Sequence, residues 1–226
     1  MPIDSSLVQK GFALQAALQV SSVEVALPDV ADDYSQLLVF GHAGSDFWNL
    51  LDEPVTGDHP LDSVSINMVE DFLQRTDCTE YLVLYPLSDV QIDLRALGKQ
   101  LGWHADSALG IGINAIYGTW FAYRVVVLAN TSYETSDVRG TNNLAESPCA
   151  SCITRPCVEA CPVDAPGDTF DLQACMTERS TVGSACAYQC LARNACPVGT
   201  EYRYDQDQMR YHYEKSLQVI QSTELT

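Results

Sequence analysis

Eight of the nine cysteines in this chain of 226 residues fall within 48 residues, from Cys149 to Cys196. Thiols at that density form a metal framework or a disulfide framework. They divide into two runs, Cys149-x2-Cys152-x4-Cys157-x3-Cys161-Pro162 and Cys175-x10-Cys186-x3-Cys190-x5-Cys196-Pro197. Disulfides belong to oxidising compartments. The start, Met1-Pro2-Ile3-Asp4, has no basic segment leading into an apolar run, so the expected location is cytoplasmic, where thiols stay reduced. Structural zinc would favour paired Cys-x2-Cys knuckles, and there is a single such pair, Cys149 and Cys152. A third alternative keeps one cluster and makes the second run partly structural.

The two Cys-Pro sites favour iron and sulfide. A [4Fe–4S] cube needs four thiolates. Closely spaced cysteines on a curling loop supply three, and in two-cluster proteins the Cys-Pro cysteine ligates the other cluster. That rule puts Cys149, Cys152, Cys157 and Cys196 on one cluster, and Cys175, Cys186, Cys190 and Cys161 on a second. Both runs are stretched beyond the common C-x2-C-x2-C-x3-C-P spacing, with Arg155 and Pro156 in the widened gap of the first. Two such clusters in one small module would exchange single electrons.

Formal net charge is −18, and acids outnumber bases 20 to 6 before Cys149 but only 10 to 6 from there on. Nucleic-acid backbones call for basic patches, so no nucleic-acid partner is expected. The acidic surface reads as solvation or as a docking face for a basic redox partner protein. No stretch approaches the roughly 18 apolar residues of a membrane span, so no membrane partner is expected either. Oligomeric state has no sequence signal.

Residues 5–20 have helical spacing from Ser5 onward, and Val64–Arg75 and Val90–Leu101 read as further helices. Val23–Leu27, Leu37–Phe40, Tyr81–Tyr85 and Ala122–Ala129 read as strands. A glycine-spaced stretch, Leu109–Gly118, precedes the last of these, and the polar segment 130–147 reads as a linker. Met209, Tyr213, Leu217 and Ile220, three or four apart, predict a C-terminal helix. The expected architecture is α+β. An N-terminal α/β layered domain (1–145) is followed by a small two-cluster ferredoxin-like domain (146–202) and a C-terminal helical tail (203–226). Cys78, beside Asp77 and Glu80, reads as a buried, inert thiol.

Residues 109–128, LGIGINAIYGTWFAYRVVVL, followed by SPCASCITRPCVEACPVDA, resemble the epoxyqueuosine reductase family and its small ferredoxin-like members. Gly110, Gly118, Trp120 and Val125–Leu128 are the matching positions before the cysteines, and Cys175 lies in a similar short segment ahead of the last group. The resemblance covers about residues 80–200, and residues 38–64 resemble the smaller members. It implies an α/β cobalamin-binding domain fused to a two-cluster domain whose electrons reduce the corrinoid. His42, in the loop-like Gly41-His42-Ala43-Gly44, and Trp120 and Tyr123, at the head of an apolar strand, are the candidate cofactor-binding residues. The function expected is an iron–sulfur redox protein that passes electrons to a corrinoid-like cofactor or substrate. The alternative is a plain electron-transfer module whose N-terminal domain docks a partner. No catalytic residue stands out.

Overall fold

The computed structural model describes residues 3–51, 59–76, 78, 80–86, 88–136 and 147–224. The chain is α+β and divides into two compact units. Met1–His104 with Phe121–Leu144 make the first, and Ala105–Trp120 with Ala145–Thr226 make the second.

The first unit is built on a four-stranded sheet. Its strands are β1 (Leu14–Gln19), β2 (Gln36–Ala43), β3 (Tyr81–Tyr85) and β6 (Phe121–Ala129), in the order β1-β2-β6-β3. Every pairing is antiparallel. Strands alternating with helices suggested an α/β layer; the direction of pairing had no sequence signal, because periodicity within a strand carries no information about its partner's direction. The sheet is covered on both faces, which is why residues 125–129 of β6 read as an unbroken apolar run rather than an alternating one. Leu38, Phe40, Val125 and Val127 point to one face, where helix α2 (Pro60–Arg75) contributes Val69, Phe72 and Leu73. Leu37, Val39, Val126 and Leu128 point to the other, against Leu97 of helix α3 (Leu94–Gln100).

Three expected elements differ from those observed. Helix α1 spans only Ser5–Gln9, capped by the Asp4 carboxylate, and β1 follows. The sequence from Leu14 to Leu18 satisfies period 2 as well as period 3.6, and Leu18 and Ala16 fall on one sheet face with Ala17 on the other. The pairing with β2 decides between them. Val23–Leu27 is not a strand. Its side chains Val23, Val25 and Leu27 pack on the core, while the Glu24 N–H donates to the Gln100 side chain at 3.1 Å. Helix α3 is also shorter than the apolar spacing implies, because Asp93 caps it by accepting from the Ala96 N–H. The described part of the polar segment 130–147 includes Ser136, whose N–H donates to the Ala17 carbonyl at 2.8 Å, so the chain there covers part of the free edge of β1. Residues 137–146 of that segment lie outside the described residues.

In the second unit the glycine-spaced stretch forms a small hairpin, β4 (Ala105–Asp106) with β5 (Gly112–Ile113). Gly118 and Gly199 have φ of +58° and +66°, and a Cβ on Gly199 would fall 2.4 Å from the Tyr117 carbonyl carbon. The glycines therefore let the hairpin lie backbone against backbone on the residues just after Cys196-Pro197. Gly199→Ala is expected to lower stability by at least about 2 kcal/mol, from the φ strain plus the clash, and a smaller fall in urea midpoint would contradict this packing.

Four helices complete the unit: α4 (Pro156–Glu159), α5 (Leu172–Ser180), α6 (Leu191–Ala195) and α7 (Gln206–Glu224). Its core joins Trp120, Tyr204 and Met209, and Asp205 opens α7 by accepting from the Gln208 N–H at 2.7 Å. Among the described residues no helix is long and apolar enough to cross a membrane.

Candidate metal centre

All nine cysteines are free thiols. The eight in the second unit are held by short turns. The Cys152 N–H bonds back to the Cys149 carbonyl at 3.3 Å, and the Cys161 N–H to the Val158 carbonyl at 3.2 Å. Arg155 (φ +39°) turns the chain into α4, whose first residue, Pro156, needs no hydrogen-bonded N–H. Backbone N–H groups converge on sulfur: Val158 on Cys157, Leu191 on Cys186, Val198 on Cys196, and Arg193 on Cys190 at 3.3 Å. Donors of this kind stabilise thiolates.

The thiols fall into two neighbourhoods. Burial pushes Cys157 up, and the nearby charges that add to this are those of Cys196, Cys149 and Cys152. Burial likewise pushes Cys175 up, joined by Cys190, Cys161 and Cys186, with Arg179 opposing. Cys196 responds to Cys149 and Cys152, and Cys186 to Cys190 and Cys161. The quartets cross the two sequence runs, with Cys161 and Cys196 exchanged. Among the described residues, no group of three or more His, Cys, Asp or Glu side chains is placed to hold a single metal ion. A cubane asks for a wider quartet, since each thiolate ligates a different iron.

Cys161, Cys175, Cys186 and Cys190 all line one cavity of about 190 Å³. Its other walls include Leu109, Phe170 and Leu191, with Arg179, Arg193 and Tyr213 among the polar groups. Four sulfurs in an apolar wall fit an iron–sulfur cluster, a group that proteins hold by thiolates and tune through burial and hydrogen bonding.

No family model and no curated protein matches the sequence. Solved structures do match. One is epoxyqueuosine reductase with an epoxyqueuosine-modified tRNA-Tyr stem loop, at TM-score 0.54 and 13% identity, over 92% of this chain and 67% of that one. Another is epoxyqueuosine reductase from Streptococcus thermophilus, at TM-score 0.55 and 13% identity, over 87% of this chain and 65% of that one. The chain is folded like epoxyqueuosine reductase. At this identity the likeness to epoxyqueuosine reductase is one of fold, and the chain spans about two thirds of the length of those enzymes.

Of the other candidate residues, Trp120 belongs to the second unit, and His42 and Tyr123 to the first. Trp120 is fully buried against Tyr204 and Met209, with the Arg193 guanidinium 4.2 Å from its ring centre. Tyr123 is half-buried, and its hydroxyl meets His104 Nδ1 at 3.3 Å. Burial, and then the Asp93 carboxylate, raise its pKa beyond the ordinary phenol range. His42 belongs to β2 rather than to a loop, and it is only 3% exposed. Its ring stacks on Phe47 at 3.7 Å and meets Phe12 edge-on at 4.4 Å. Neither ring nitrogen has a hydrogen-bond partner among the described residues. Cys78 is buried in the sheet core, with its thiol 3.6 Å from the Glu80 carbonyl.

Burial, and then the Arg124 guanidinium, hold the His42 pKa well below the ordinary value of 6.5. The folded chain therefore carries a neutral imidazole where the unfolded chain takes up a proton. Stability at this site is complete above the unfolded pKa and is lost as pH falls from there toward the folded value, at up to about 1.4 kcal/mol per pH unit. His42→Phe is expected to remove that slope. Urea denaturation at pH 7 and pH 5.5 checks it, and equal pH sensitivity of variant and parent would refute it.

Sequence reasoning missed Arg179, Arg193 and Tyr213. A signal existed for two of them: Arg179 is four residues after Cys175 on α5, and Arg193 is three after Cys190. Tyr213 comes from α7 and only folding brings it there. Burial pushes its hydroxyl up to about 12, so it stays protonated.

Proposed function

We propose that this chain is an iron–sulfur redox protein. In it two [4Fe–4S] clusters pass single electrons to a corrinoid-like cofactor or substrate held by the N-terminal unit. The carrying observation is that Cys161, from the first run, lines one cavity with Cys175, Cys186 and Cys190, in line with the Cys-Pro rule for two-cluster proteins. Cys149, Cys152, Cys157 and Cys196 would hold one cluster, and Cys161, Cys175, Cys186 and Cys190 the other. The clusters supply one-electron chemistry; the chain's part is to hold them, wall off water and donate hydrogen bonds to sulfur. The cobalamin assignment rests on the likeness in fold to epoxyqueuosine reductase. A net charge of −18 argues for a substrate other than RNA. Reduced thiols at this density suit the cytoplasm.

A second reading, an electron carrier whose N-terminal unit docks a redox partner, is favoured by one observation. Trp120 and His42, the residues expected to face a macrocycle, are both enclosed. One experiment separates the two. Anaerobically purified protein is assayed for iron and sulfide, then titrated with cobalamin under visible spectroscopy. About eight irons per chain and a saturable change in the cobalt spectrum support the corrinoid reading. Intact clusters with no spectral change leave the electron carrier. Absence of iron–sulfur in freshly reconstituted protein overturns both.

A further inference from the structure

We propose that Arg179 and Arg193 give the second cluster the higher reduction potential of the two, which makes it the place where an incoming electron comes to rest. This rests on the two-cluster reading above. It assigns to that pair a direction: a low-potential donor reduces the first cluster, which returns to its oxidised state as the second gains the electron.

Arg179 lines the cavity formed by Cys161, Cys175, Cys186 and Cys190, and is only 9% exposed. Helix α7 pins it. Its Nη1 donates to the Ser216 hydroxyl at 3.0 Å and its Nη2 to the Tyr213 carbonyl at 2.9 Å, with the guanidinium 4.9 Å from the Tyr213 ring centre. The remaining donor, Nε–H, is buried with no partner among the described residues. A buried donor left unmet is destabilising, and a cluster sulfur is the acceptor this cavity would supply.

Arg193 lines the same cavity. Its side chain is fixed by Nε to the Thr119 hydroxyl at 3.2 Å and by Nη2 to the Thr119 carbonyl, while its backbone N–H donates to Cys190 sulfur. It also reaches the Tyr213 hydroxyl. Both guanidiniums keep their charge at any working pH. Reduction adds a negative charge to the cluster, and cations held in a low-dielectric wall favour that state. Glu178, also on the cavity, opposes them as a single charge against two. The first quartet has weaker support: Arg203, which acts on Cys196, and Arg155, next to Pro156 and Cys157 in the chain, are both exposed, where water and salt screen them.

The test is a redox titration of the full, reconstituted chain followed by electron paramagnetic resonance, with iron and sulfide measured on each sample. The parent is expected to show two one-electron steps. Arg179→Gln is expected to move only the upper step downward, changing the reduced-to-oxidised ratio at a fixed potential by about tenfold, or about 59 mV. Arg179→Lys, which keeps the charge, is expected to restore most of it. Arg193→Gln moves the same step in the same direction and decides the matter if Arg179→Gln loses its second cluster. Two intact clusters with the upper step unmoved in both Gln variants, or with the lower step moving instead, overturn the inference alone. A parent chain without two clusters overturns the reading beneath it as well.

Discussion

Serine in place of Cys161 is expected to lower the iron content from about eight to about four per chain, and the cluster lost is expected to be the one nearer the end of the chain. Cys161 closes the first sequence run, yet its charge acts on Cys175 and Cys186, and it lines their cavity. Double variants make the assignment without spectroscopy. Cys161→Ser with Cys175→Ser removes two ligands of one cluster, so iron should stay at about four per chain. Cys161→Ser with Cys149→Ser removes one ligand from each, so iron should approach zero. If each cluster instead took its ligands from a single run, the two results would be exchanged. The measurement is iron and acid-labile sulfide on anaerobically reconstituted protein. Retained far-UV circular dichroism shows that the variants have folded.

Trp120→Ala is expected to destabilise the second unit by about 3–5 kcal/mol. Trp120 is fully buried, its ring centre lies 5.3 Å from that of Tyr204 in an edge-to-face arrangement, and Arg193 covers it. Removing the indole leaves a large cavity and also frees the Arg193 guanidinium, which stacks on Tyr204 as well at 5.0 Å. Since Arg193 also lines the thiol cavity, the variant should lose its second cluster more readily on dilution into urea. Trp120→Phe is the control. The indole Nε1 is buried without a partner among the described residues, so a smaller apolar ring forfeits packing but no hydrogen bond seen there. It should cost clearly less than the alanine change and leave any cobalamin titration unaltered. A change in cobalamin binding with stability intact would return Trp120 to the role of a cofactor face.

The elements legible in the sequence were those whose signal is local. Helix α2 and helix α7 follow from apolar residues three and four apart, and β2, β3 and β6 from short apolar runs. Local pattern failed where two periods fit the same residues, as in Leu14–Leu18, or where apolar side chains pack without strand pairing, as in Val23–Leu27. The candidate site divides in the same way. His42 sits beside glycines and looked like a loop residue, but the sheet register pairs it with Ala122 and encloses it between phenylalanines.

The sequence by itself determined that eight thiols occur in two runs, each ending in Cys-Pro, and that the chain has apolar strands enough for a sheet buried on both faces. These are properties of neighbours along the chain. Only the tertiary structure decided the antiparallel pairing in the sheet and the closing of one quartet by Tyr213. Each of those depends on residues tens of positions apart being brought within hydrogen-bonding or ion-pairing distance. In the second unit the hydrogen bond from Arg179 on α5 to the Tyr213 carbonyl on α7 holds Tyr213 at the thiol cavity, and no periodicity in the sequence records it.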